Sequence, residues 1–530
     1  MSRRLPLLVL ALALLALFGP SAASAKGSFS LGVANGDVSA SSAILWGHAT
    51  RAGAVTLDVA RSKSFRGAVR HKRLRPKASD DFTVQAKVTG LRPARRYWYR
   101  FRRGSDRSPV GTFKTAPAGT ANKTVRFAWS GDEDATPLVG QTKPYWNSGQ
   151  VFARMAAERN DFNINLGDTI YSDTEVPGHP EVALTVPEKW AKYRLMMGLP
   201  NMQRLRESAP YYAHWDDHEF VNDFSPAESV FTSGDHPVVN EDGHTLYQAG
   251  AKAFRNYQPV TYSAANGIYR SFRWGRNLEV FFLDERSFRS AKASANHVCD
   301  NPQTGQPDLA PAAPADKRAL FAVLAPSLAA PVSPQCLATL NDPNRTMLGT
   351  RQLARFESAV KKSKAAFKVV MTEMEIKQYY ALPYDRWEGY EAERQKLLTY
   401  LHDNVKNVVF LATDVHATLA VDARLKTFEA GGPLDSGILE VSTGPVATRN
   451  FSLEIGEATG NAGGGPALRS AFFKPAPPNG IGMLCANIDT FSYGEVTVTP
   501  KKLTIAPKDI NGKALKDGDA PCGPFTLTKK

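Results

Sequence analysis

Four apolar runs in this chain each end in a cluster of residues that commonly bind metal ions. The clusters are Ser130-Gly131-Asp132, Gly167-Asp168-Thr169-Ile170-Tyr171, Asp216-Asp217-His218-Glu219 and Asp414-Val415-His416. Strands of a buried sheet deliver the residues that follow them to a shared edge, and in open α/β sheets ligands bind at the carboxyl edge. Strands that place Asp, His and Tyr side chains at one edge would form a polynuclear metal site.

The hydrophobic periodicity changes near residue 120. Residues 27–117 contain short alternating apolar segments separated by Gly and Pro turns, a pattern typical of an all-β sandwich. From about residue 124, apolar strands alternate with longer helical stretches, which indicates an α/β domain over 124–530. The predicted strands are 125–129, 162–166, 210–214, 278–283, 367–371, 407–412 and 438–442. The predicted helices are 149–159, 187–197, 246–256, 351–361 and 389–403.

Two later segments stand apart from this alternation. Residues 290–346 are rich in Ala and Pro, and we interpret them as an insertion. Residues 456–530 are interpreted as a C-terminal extension, in which 492–498 and 503–505 predict a hairpin. No internal repeat is visible in the sequence.

Residues 1–25 predict a cleaved signal peptide. Arg3 and Arg4 begin it, an apolar stretch follows over 5–18, and Ala23-Ser24-Ala25 forms the small-residue cleavage site. The apolar stretch is shorter than the ~20 residues that span a membrane. We therefore expect a secreted protein, extracellular or periplasmic, exported by the Sec or the twin-arginine route. No later segment predicts a transmembrane span.

The cysteines predict structural disulfides. The chain has four of them, Cys299, Cys336, Cys485 and Cys522, and an even number in an exported chain favours disulfides. Four cysteines allow three connectivities, of which the nearest-neighbour one pairs Cys299 with Cys336 and Cys485 with Cys522. None of them is adjacent to an Asp/His cluster.

The chain is basic, with a formal net charge of +14. A basic surface favours anionic partners such as phosphate polymers, nucleic acid or anionic lipid, but a solvated charged surface is the better explanation for most of the lysines. We expect no stable nucleic-acid partner. The basic run from Arg61 to Arg75 is predicted to be an exposed hairpin.

The Asp/His clusters are informative as a set rather than singly. A lone Asp after a strand is as often a helix cap as a metal ligand. Carboxylates combined with imidazole suit Ca²⁺, Mn²⁺, Zn²⁺ or iron, and Asp168 is the best candidate for a carboxylate that bridges two ions. Tyr171 could also reach a metal, because phenolate pairs well with ferric iron; the alternative is a packed aromatic residue. A two-metal site can hold a hydroxide and clamp a phosphoryl group without a Ser, Cys or Thr nucleophile.

Taken together, these motifs resemble the alkaline phosphatase D family (PhoD-like phosphatases) of the metallophosphoesterase superfamily. The resemblance covers nearly all of the mature chain. Besides the clusters above, it is carried by Gly32-Val33-Ala34-Asn35-Gly36-Asp37, Thr89-Gly90-Leu91-Arg92-Pro93, Leu283-Asp284-Glu285-Arg286-Ser287-Phe288-Arg289, Asp385-Arg386-Trp387-Glu388-Gly389-Tyr390 and Tyr493-Gly494. It implies an α/β metallophosphoesterase-type sandwich of β-sheets flanked by helices, with an N-terminal fibronectin/Ig-like domain.

The resemblance also implies roles for individual residues. Asp168 corresponds to the bridging ligand, Tyr171 to the iron-binding tyrosine, and Asp217 to a ligand of the second metal. Asp414 and His416 correspond to the ligands of the last motif, and His218 to the histidine that protonates the leaving oxygen. Arg286 corresponds to a phosphate-facing arginine; the alternative for Arg286 is a buried ion pair with Asp284.

One departure from the family pattern bears on the metals. Many members carry a Cys ligand to iron after the first strand, where this chain has Gly131. We expect Asp132 to take over as the ligand and Asp134 to cap the following segment. The resemblance implies two or more metal ions: iron with Ca²⁺ is suspected, and Mn²⁺ or Zn²⁺ are alternatives.

The sequence thus predicts a secreted phosphoric ester hydrolase, a metal-dependent phosphatase or phosphodiesterase. The resemblance implies direct attack on phosphorus by a metal-bound hydroxide. A small molecule, a phospholipid or a cell-wall polymer could be its substrate, and the preference for monoesters or diesters stays open, as does the oligomeric state. The alternatives are a phospholipase D-like diesterase and a non-catalytic surface protein that binds polyanions.

Overall fold

The structure, a computed structural model, describes residues 28–230 and 240–530. The predicted signal peptide, residues 1–25, lies outside the described residues. Within the two described ranges, no helix combines the length and the apolar character needed to cross a membrane.

The first part of the described chain is an all-β sandwich, as predicted. Strands β1, β2 and β5 form one antiparallel sheet, while β4, β3, β6 and β7 form a second, in which β8 also pairs with β6. Alternate residues such as Leu45, Leu57 and Tyr99 fill the space between the two sheets. The strands are β1 (Val33–Gly36), β2 (Ser42–His48), β3 (Val55–Ala60), β4 (Val69–Leu74), β5 (Thr83–Thr89), β6 (Arg96–Arg103), β7 (Asp106–Arg107) and β8 (Gly111–Lys114).

The rest of the chain is built on two larger sheets. One has the strand order β11-β10-β9-β21-β22-β25, and the other has the order β14-β15-β16-β17-β19-β18-β20. The strands are β9 (Val125–Ser130), β10 (Phe162–Leu166), β11 (Tyr211–His214), β12 (Ser229–Val230), β13 (Glu241–Asp242), β14 (Arg270–Trp274), β15 (Leu278–Phe282), β16 (Phe367–Met371), β17 (Val408–Ala412), β18 (Thr418–Asp422), β19 (Leu439–Ser442), β20 (Cys485–Asn487), β21 (Ser492–Val498), β22 (Lys502–Asp509), β23 (Lys516–Asp517), β24 (Ala520–Pro521) and β25 (Phe525–Thr528).

Helices cover the outer faces of this sandwich. Helices α1 to α4 pack on the six-stranded sheet, and α7 and α8 pack on the seven-stranded sheet. The helices are α1 (Gln150–Ala157), α2 (Val186–Gly198), α3 (Pro200–Ser208), α4 (Gly243–Tyr257), α5 (Ala315–Phe321), α6 (Pro334–Leu340), α7 (Thr350–Lys362), α8 (Glu391–Asn404), α9 (Phe451–Thr459) and α10 (Gly464–Leu468). The predicted fold class, a β-sheet sandwich flanked by helices, is confirmed.

Local signals explain where two of these helices begin. Thr185 and Glu188 form a capping box at the start of α2, which satisfies backbone donors that the first turn leaves free. Asp242 caps α4 by accepting a hydrogen bond from the Thr245 amide at 2.9 Å. Helix α3 was not predicted, although Pro200 at its first position is a common start signal.

The motif-bearing strands are parallel and buried. Strand β10 pairs in parallel with β9 and β11, and β17 pairs in parallel with β16 and β19. Strands buried on both faces read as continuous apolar runs, which is why they were visible in the sequence. The prediction of one shared sheet edge was wrong, because β9, β10 and β11 belong to one sheet and β17 to the other.

The predicted hairpin at 492–505 is present as β21 and β22. Strand β21 also pairs with β9, so the hairpin completes the centre of the six-stranded sheet. Gly494 lies opposite Trp129 in this pairing, and a Cβ atom on Gly494 would lie 2.0 Å from the Trp129 ring. The indole of Trp129 donates to the Ala412 carbonyl at 3.1 Å, and so it joins the two sheets.

Both predicted disulfides, Cys299–Cys336 and Cys485–Cys522, are present. The first lies within residues 290–346, where the chain forms α5 and α6 outside the two large sheets. The second ties strand β20 to the segment after β24.

Substituting Gly494 with Ala should destabilise the protein by about 1–3 kcal/mol, because the added methyl group overlaps the Trp129 ring and overpacks the core. Denaturant unfolding of both proteins would measure the difference. The matched control is Gly431→Ala, since no atom lies within 4 Å of a Cβ at Gly431. Equal midpoints for G494A and G431A would contradict this account of the sheet centre.

Candidate metal centre

Loops that follow β9, β10, β11 and β17 meet at one end of the sandwich. The amide of Asp414 donates to Asp132 Oδ1 at 3.2 Å, which joins the β17 and β9 loops. The amide of His218 donates to Asp168 Oδ1 at 3.1 Å, which joins the β11 and β10 loops. The Thr413 hydroxyl donates to the Leu166 carbonyl at 2.7 Å and closes the set. The loops from two different sheets therefore form one connected unit.

The six residues predicted as metal ligands lie together in this unit. Ligand-type atoms of Asp132, Asp168 and His416 lie within 4.8 Å of one another, and the same holds for Asp168, Asp217 and His218. Asp168 belongs to both groups, as a bridging carboxylate must. Asp414 forms a further such group with Asp216 and Asp217, and Tyr171 Oη lies 2.9 Å from His416 Nε2.

Sharp backbone turns aim these side chains at one point. Asp132, Asp168, Asp414 and His416 have φ angles of 65°, 49°, 69° and 51°. Residues other than Gly rarely adopt this left-handed region, and such strain is found mainly where surrounding structure enforces it at functional sites. Gly167 shows how tight the turn is: its φ is 103°, and a Cβ there would lie 2.6 Å from Asp216 Cβ.

Glu219 holds two of these loops in place. Its carboxylate accepts hydrogen bonds from the amides of Asp168 at 3.1 Å, Thr169 at 2.9 Å and Asp216 at 2.8 Å. Burial raises the pKa of Glu219 to about 7, although these amide donors act in the opposite direction. Asp134 has a similar supporting position, because its Oδ1 accepts from the Thr136 amide at 2.8 Å as a turn cap does.

Each histidine of the centre is oriented by a carboxylate. His218 Nδ1 donates to Asp173 at 2.7 Å, and His416 Nδ1 is hydrogen-bonded to Glu454. Burial by itself would lower the pKa of His218, but the charges of Asp173 and Asp217 raise it to about 10. The same balance, with Glu454 as the main partner, raises the pKa of His416 to about 9. A carboxylate on the second ring nitrogen is the usual support for a ligating or proton-donating histidine.

Tyr171 is packed between the two histidines. Its ring stacks on the His218 ring with 4.0 Å between centroids, and its hydroxyl hydrogen-bonds to His416 Nε2. Burial raises the pKa of Tyr171 well above its usual range, and the nearby charges of Asp168 and Asp132 add to this effect. Ionising this hydroxyl would therefore require a neighbouring cation.

The buried carboxylates of this centre need nearby positive charge in order to ionise. Burial raises the pKa of Asp168 well above its usual range, and the charges of Asp217 and Asp216 raise it further. Burial likewise raises the pKa of Asp132 to about 7, despite His416 nearby. The Oδ2 atoms of Asp132 and Asp216 are buried without a hydrogen-bond partner. Orphaned carboxylate oxygens at a point shared by several acids fit the coordination of metal ions.

Arg286 lies against the carboxylates of this centre. Its Nε donates to Asp216 at 2.7 Å and its Nη1 to Asp385 at 2.8 Å, whereas Asp284 receives only its backbone amide. The side chain is fully buried. The alternative of a side-chain ion pair with Asp284 is therefore wrong, because the guanidinium pairs with Asp216 and Asp385. Its Nη2 also lies 3.6 Å from Asp217 and 3.7 Å from Asp414, and the phosphate-facing role stays a prediction.

A cavity of about 490 Å³ opens onto Asp168, Asp217, Asp414 and the two histidines. Its walls carry two arginines that sequence reasoning missed as site residues, Arg386 and Arg449. Arg449 forms ion pairs with Glu175 and Glu457. Among the described residues, Arg386 has no acidic side chain within 4.0 Å; its Nη2 donates to the carbonyls of Ala381 and Leu382. The sequence motif Asp385-Arg386-Trp387 could have identified Arg386 as a site residue, whereas Arg449 belongs to no recognisable motif.

Gly131 fits the same tight arrangement. A Cβ at this position would lie 3.1 Å from Thr413 Cγ2 and 3.1 Å from the Gly167 carbonyl oxygen. A larger side chain such as Cys would require Thr413 to move. Asp132, one residue further along, supplies the side chain that reaches the centre from this strand.

Comparisons with known proteins identify a family for this chain. A model of the PhoD-like phosphatase family matches residues 139–505, and a model of that family's N-terminal domain matches residues 15–117. Alkaline phosphatase D of Bacillus subtilis (strain 168) is 26% identical over 431 residues, which make up 74% of this chain but only 65% of that protein. The match therefore spans slightly less than two thirds of the relative's length.

Two solved structures share the fold. A structure of PhoD has a TM-score of 0.71 at 22% identity, with 95% of this chain and 91% of that chain covered. Purple acid phosphatase PPD1 from yellow lupin (Lupinus luteus) seeds has a TM-score of 0.55 at 11% identity, with 95% and 74% covered.

The substitution Asp168→Asn should stabilise the metal-free protein at alkaline pH. Because the folded-state pKa of Asp168 lies above the ordinary value near 4, ionising this group costs stability as the pH rises between those two values. Thermal unfolding in EDTA should show a higher Tm for the variant, by about 1 °C per kcal/mol of repulsion removed in a chain of this length. The difference should fade towards pH 4.

The exposed Asp519→Asn variant serves as the control. Adding metal should raise the Tm of the parent and of D519N more than that of D168N, because ligands stabilise the state that binds them. A parent that is more stable than D168N in EDTA at alkaline pH would contradict the repulsion described here.

Proposed function

The chain belongs to the PhoD-like phosphatase family, and from that premise we propose that it is a secreted, metal-dependent phosphoric ester hydrolase. The observation that carries the proposal is the position of Asp168, whose carboxylate is shared by two groups of ligand-type side chains. Two ions that share one carboxylate are the arrangement that phosphoryl transfer uses in two-metal sites.

The proposed ligands divide between the two groups. Asp132, Asp168 and His416 would hold one ion, with Tyr171 beside them, and Asp168 and Asp217 would hold the other, with Asp414 nearby. Bound ions would supply Lewis acidity and lower the pKa of a coordinated water. Iron with Ca²⁺ is the proposed pair, and Mn²⁺ or Zn²⁺ are the alternatives that metal analysis would distinguish.

The remaining roles belong to side chains of the protein. His218 keeps a proton at alkaline pH because Asp173 holds its Nδ1, and it lines the cavity, where it can donate that proton to the leaving oxygen of an ester. Arg286 is proposed as a positioning residue that keeps Asp216 and Asp385 in place. Arg386 lines the cavity, has no acidic side chain within 4.0 Å among the described residues, and can face an anionic substrate. No Ser, Cys or Thr nucleophile is needed, so no covalent intermediate is proposed.

The export route and domain plan are also proposals. The two disulfides favour an oxidising compartment, which supports a signal peptide over 1–25 and a location that is extracellular or periplasmic. We propose a fibronectin-like domain over 27–117 and a catalytic domain over 124–530, with an insertion at 290–346 and an extension at 456–530.

A phospholipase D-like diesterase is the second candidate, and the cavity supplies the observation that favours it. Its lining includes the apolar side chains of Leu382, Phe451 and Ile455, which could receive an apolar group on the second ester of a diester. Hydrolysis of phosphatidylcholine that rises with Ca²⁺ would support this candidate.

Removing the shared carboxylate should abolish turnover. Asp168→Asn is expected to lower the rate on a chromogenic phosphomonoester and the matching diester at least about a thousand-fold, since metal ions supply several kcal/mol of transition-state stabilisation. The assay would use protein as isolated, after chelation, and after adding back Ca²⁺, Mn²⁺, Zn²⁺ or iron. Asp519→Asn is the matched control, and its rate should equal that of the parent. Turnover retained in D168N would refute the bridging role.

The pH profile should depend on Asp173. In Asp173→Asn the carboxylate that stabilises protonated His218 is gone, so the pKa of His218 falls and its proton is lost at lower pH. The alkaline limb of the kcat profile should therefore move to lower pH by about one to three units relative to the parent. His218→Gln should lower the rate and remove that limb. A limb that stays in place in D173N would contradict the proton-donor role of His218.

A further inference from the structure

The positive charge of this protein is concentrated in the N-terminal sandwich. Residues 28–117 contain 18 Lys and Arg against 5 Asp and no Glu, which gives +13, whereas residues 118–530 contain 44 Lys and Arg against 46 acids, which gives −2. A charge asymmetry of this size between two parts of a chain indicates an interaction surface on the charged part.

One sheet of this sandwich faces the rest of the molecule. On strand β2, the Trp46 indole donates to the Asn256 carbonyl at 2.7 Å, and on β5 the Gln85 amide donates to the Gln258 carbonyl at 3.1 Å. Asp37, next to β1, pairs with Arg270 at 2.9 Å. The other sheet, built from β4, β3, β6, β7 and β8, exposes Arg73, Arg96 and Arg107, while its β8 end reaches the rest of the molecule through Lys114 and Asp161.

Strand register places the cations of this second sheet on its outer face. Leu57, Tyr99 and Phe101 point into the sandwich core, so the alternate residues point outward. In the strand register, Thr56 of β3 lies opposite Arg73 of β4 and Arg102 of β6, and Arg102 lies opposite Arg107 of β7. Asp58 of β3 lies opposite His71 of β4 and Arg100 of β6. We name this surface the arginine face, and its charged members are Arg73, Arg96, Arg100, Arg102, Arg107 and Lys114, with His71 beside them.

The single acid on the arginine face is already neutralised. Asp58 is 1% exposed and accepts hydrogen bonds from Arg100 at 3.1 Å, from Arg102 at 3.0 Å and from His71 at 2.8 Å. Burial would raise the pKa of Asp58, but these partners lower it below its usual range. Lys114 is paired with Asp161. Exposed Arg73, Arg96 and Arg107 have no acidic side chain within 4.0 Å among the described residues.

We propose that the arginine face docks a linear phosphodiester polymer. Neighbouring strands lie about 4.8 Å apart and alternate residues on a strand about 6.8 Å apart, so the guanidinium groups form an array that a chain with one charge per repeat can follow. Arginine forks bind phosphate in a bidentate manner. The choice of phosphate over other anions as the ligand rests on the proposed function. The positive charge of the arginine face is independent of that function.

The composition of the arginine face argues against a membrane as the partner. Faces that bind bilayers carry exposed aromatic or aliphatic side chains that enter the headgroup region. Two aromatic side chains lie on this face, Trp98 on strand β6 and Phe65 in the loop between β3 and β4. Both are half-buried, and Arg100 lies 4.1 Å above the Phe65 ring. Because both rings are half-buried among cations, they offer little surface to a bilayer, and the face favours a soluble polyanion.

The test is fluorescence anisotropy of a labelled 30-nucleotide polydeoxythymidylate in EDTA, titrated with the purified protein over a range of NaCl concentrations. The parent should bind with a linear fall of log K against log salt. The triple variant Arg73→Gln, Arg96→Gln, Arg107→Gln should bind more weakly, and its slope should be smaller by about 2, since each phosphate contact on a single strand contributes about 0.7.

A second triple variant, Arg351→Gln, Lys362→Gln, Lys364→Gln, removes the same net charge from exposed positions in and after helix α7 and should bind like the parent. The proposal would be overturned if the parent fails to bind, if both triple variants lose affinity equally, or if the parent binds only phosphatidylglycerol vesicles. Turnover of a small chromogenic ester by the parent tests the proposed function separately: binding without turnover would count against hydrolysis of small esters and leave the docking face standing.

Discussion

Burying several carboxylates at one point is the constraint on which the rest of this structure depends. Burial and mutual repulsion raise the pKa of Asp132, Asp168 and Asp414, so the loops that carry them would separate without support. Glu219 collects three backbone amides beneath them, and Arg286 neutralises Asp216 and Asp385. Repulsion between the carboxylates of the metal-free centre lowers the stability of the folded protein, as is common at functional sites.

The support for this centre comes from distant parts of the chain. Strand β21, near the C-terminus, lies beside β9, and Gly494 leaves the space that the Trp129 ring occupies. Trp129 in turn reaches the Ala412 carbonyl at the end of β17, two residues before Asp414. The strands that bear the ligands are therefore tied across the two sheets by an aromatic side chain, which explains how loops from separate sheets keep a common geometry.

The acidic centre and the excess positive charge lie in different parts of the molecule. The part that holds the acidic centre is close to neutral, while the N-terminal sandwich carries the excess of arginine and lysine. Its inner sheet is committed to packing, through Trp46 and Gln85, and its outer sheet exposes Arg73, Arg96 and Arg107. An anionic polymer attracted to the arginine face would be concentrated near an enzyme whose own centre repels anions until cations are bound.

The sequence by itself determined the strands that bear the motifs, five of the ten described helices, both disulfide pairs and the set of Asp, His and Tyr residues at the centre, because apolar periodicity and short motifs are local properties. Only the tertiary structure decided that β17 belongs to a second sheet, that Arg286 pairs with Asp216 and Asp385, and that Arg386 and Arg449 line the cavity. Which sheet a strand joins and which way a long side chain points depend on packing between segments hundreds of residues apart. No pattern within a single segment records that packing.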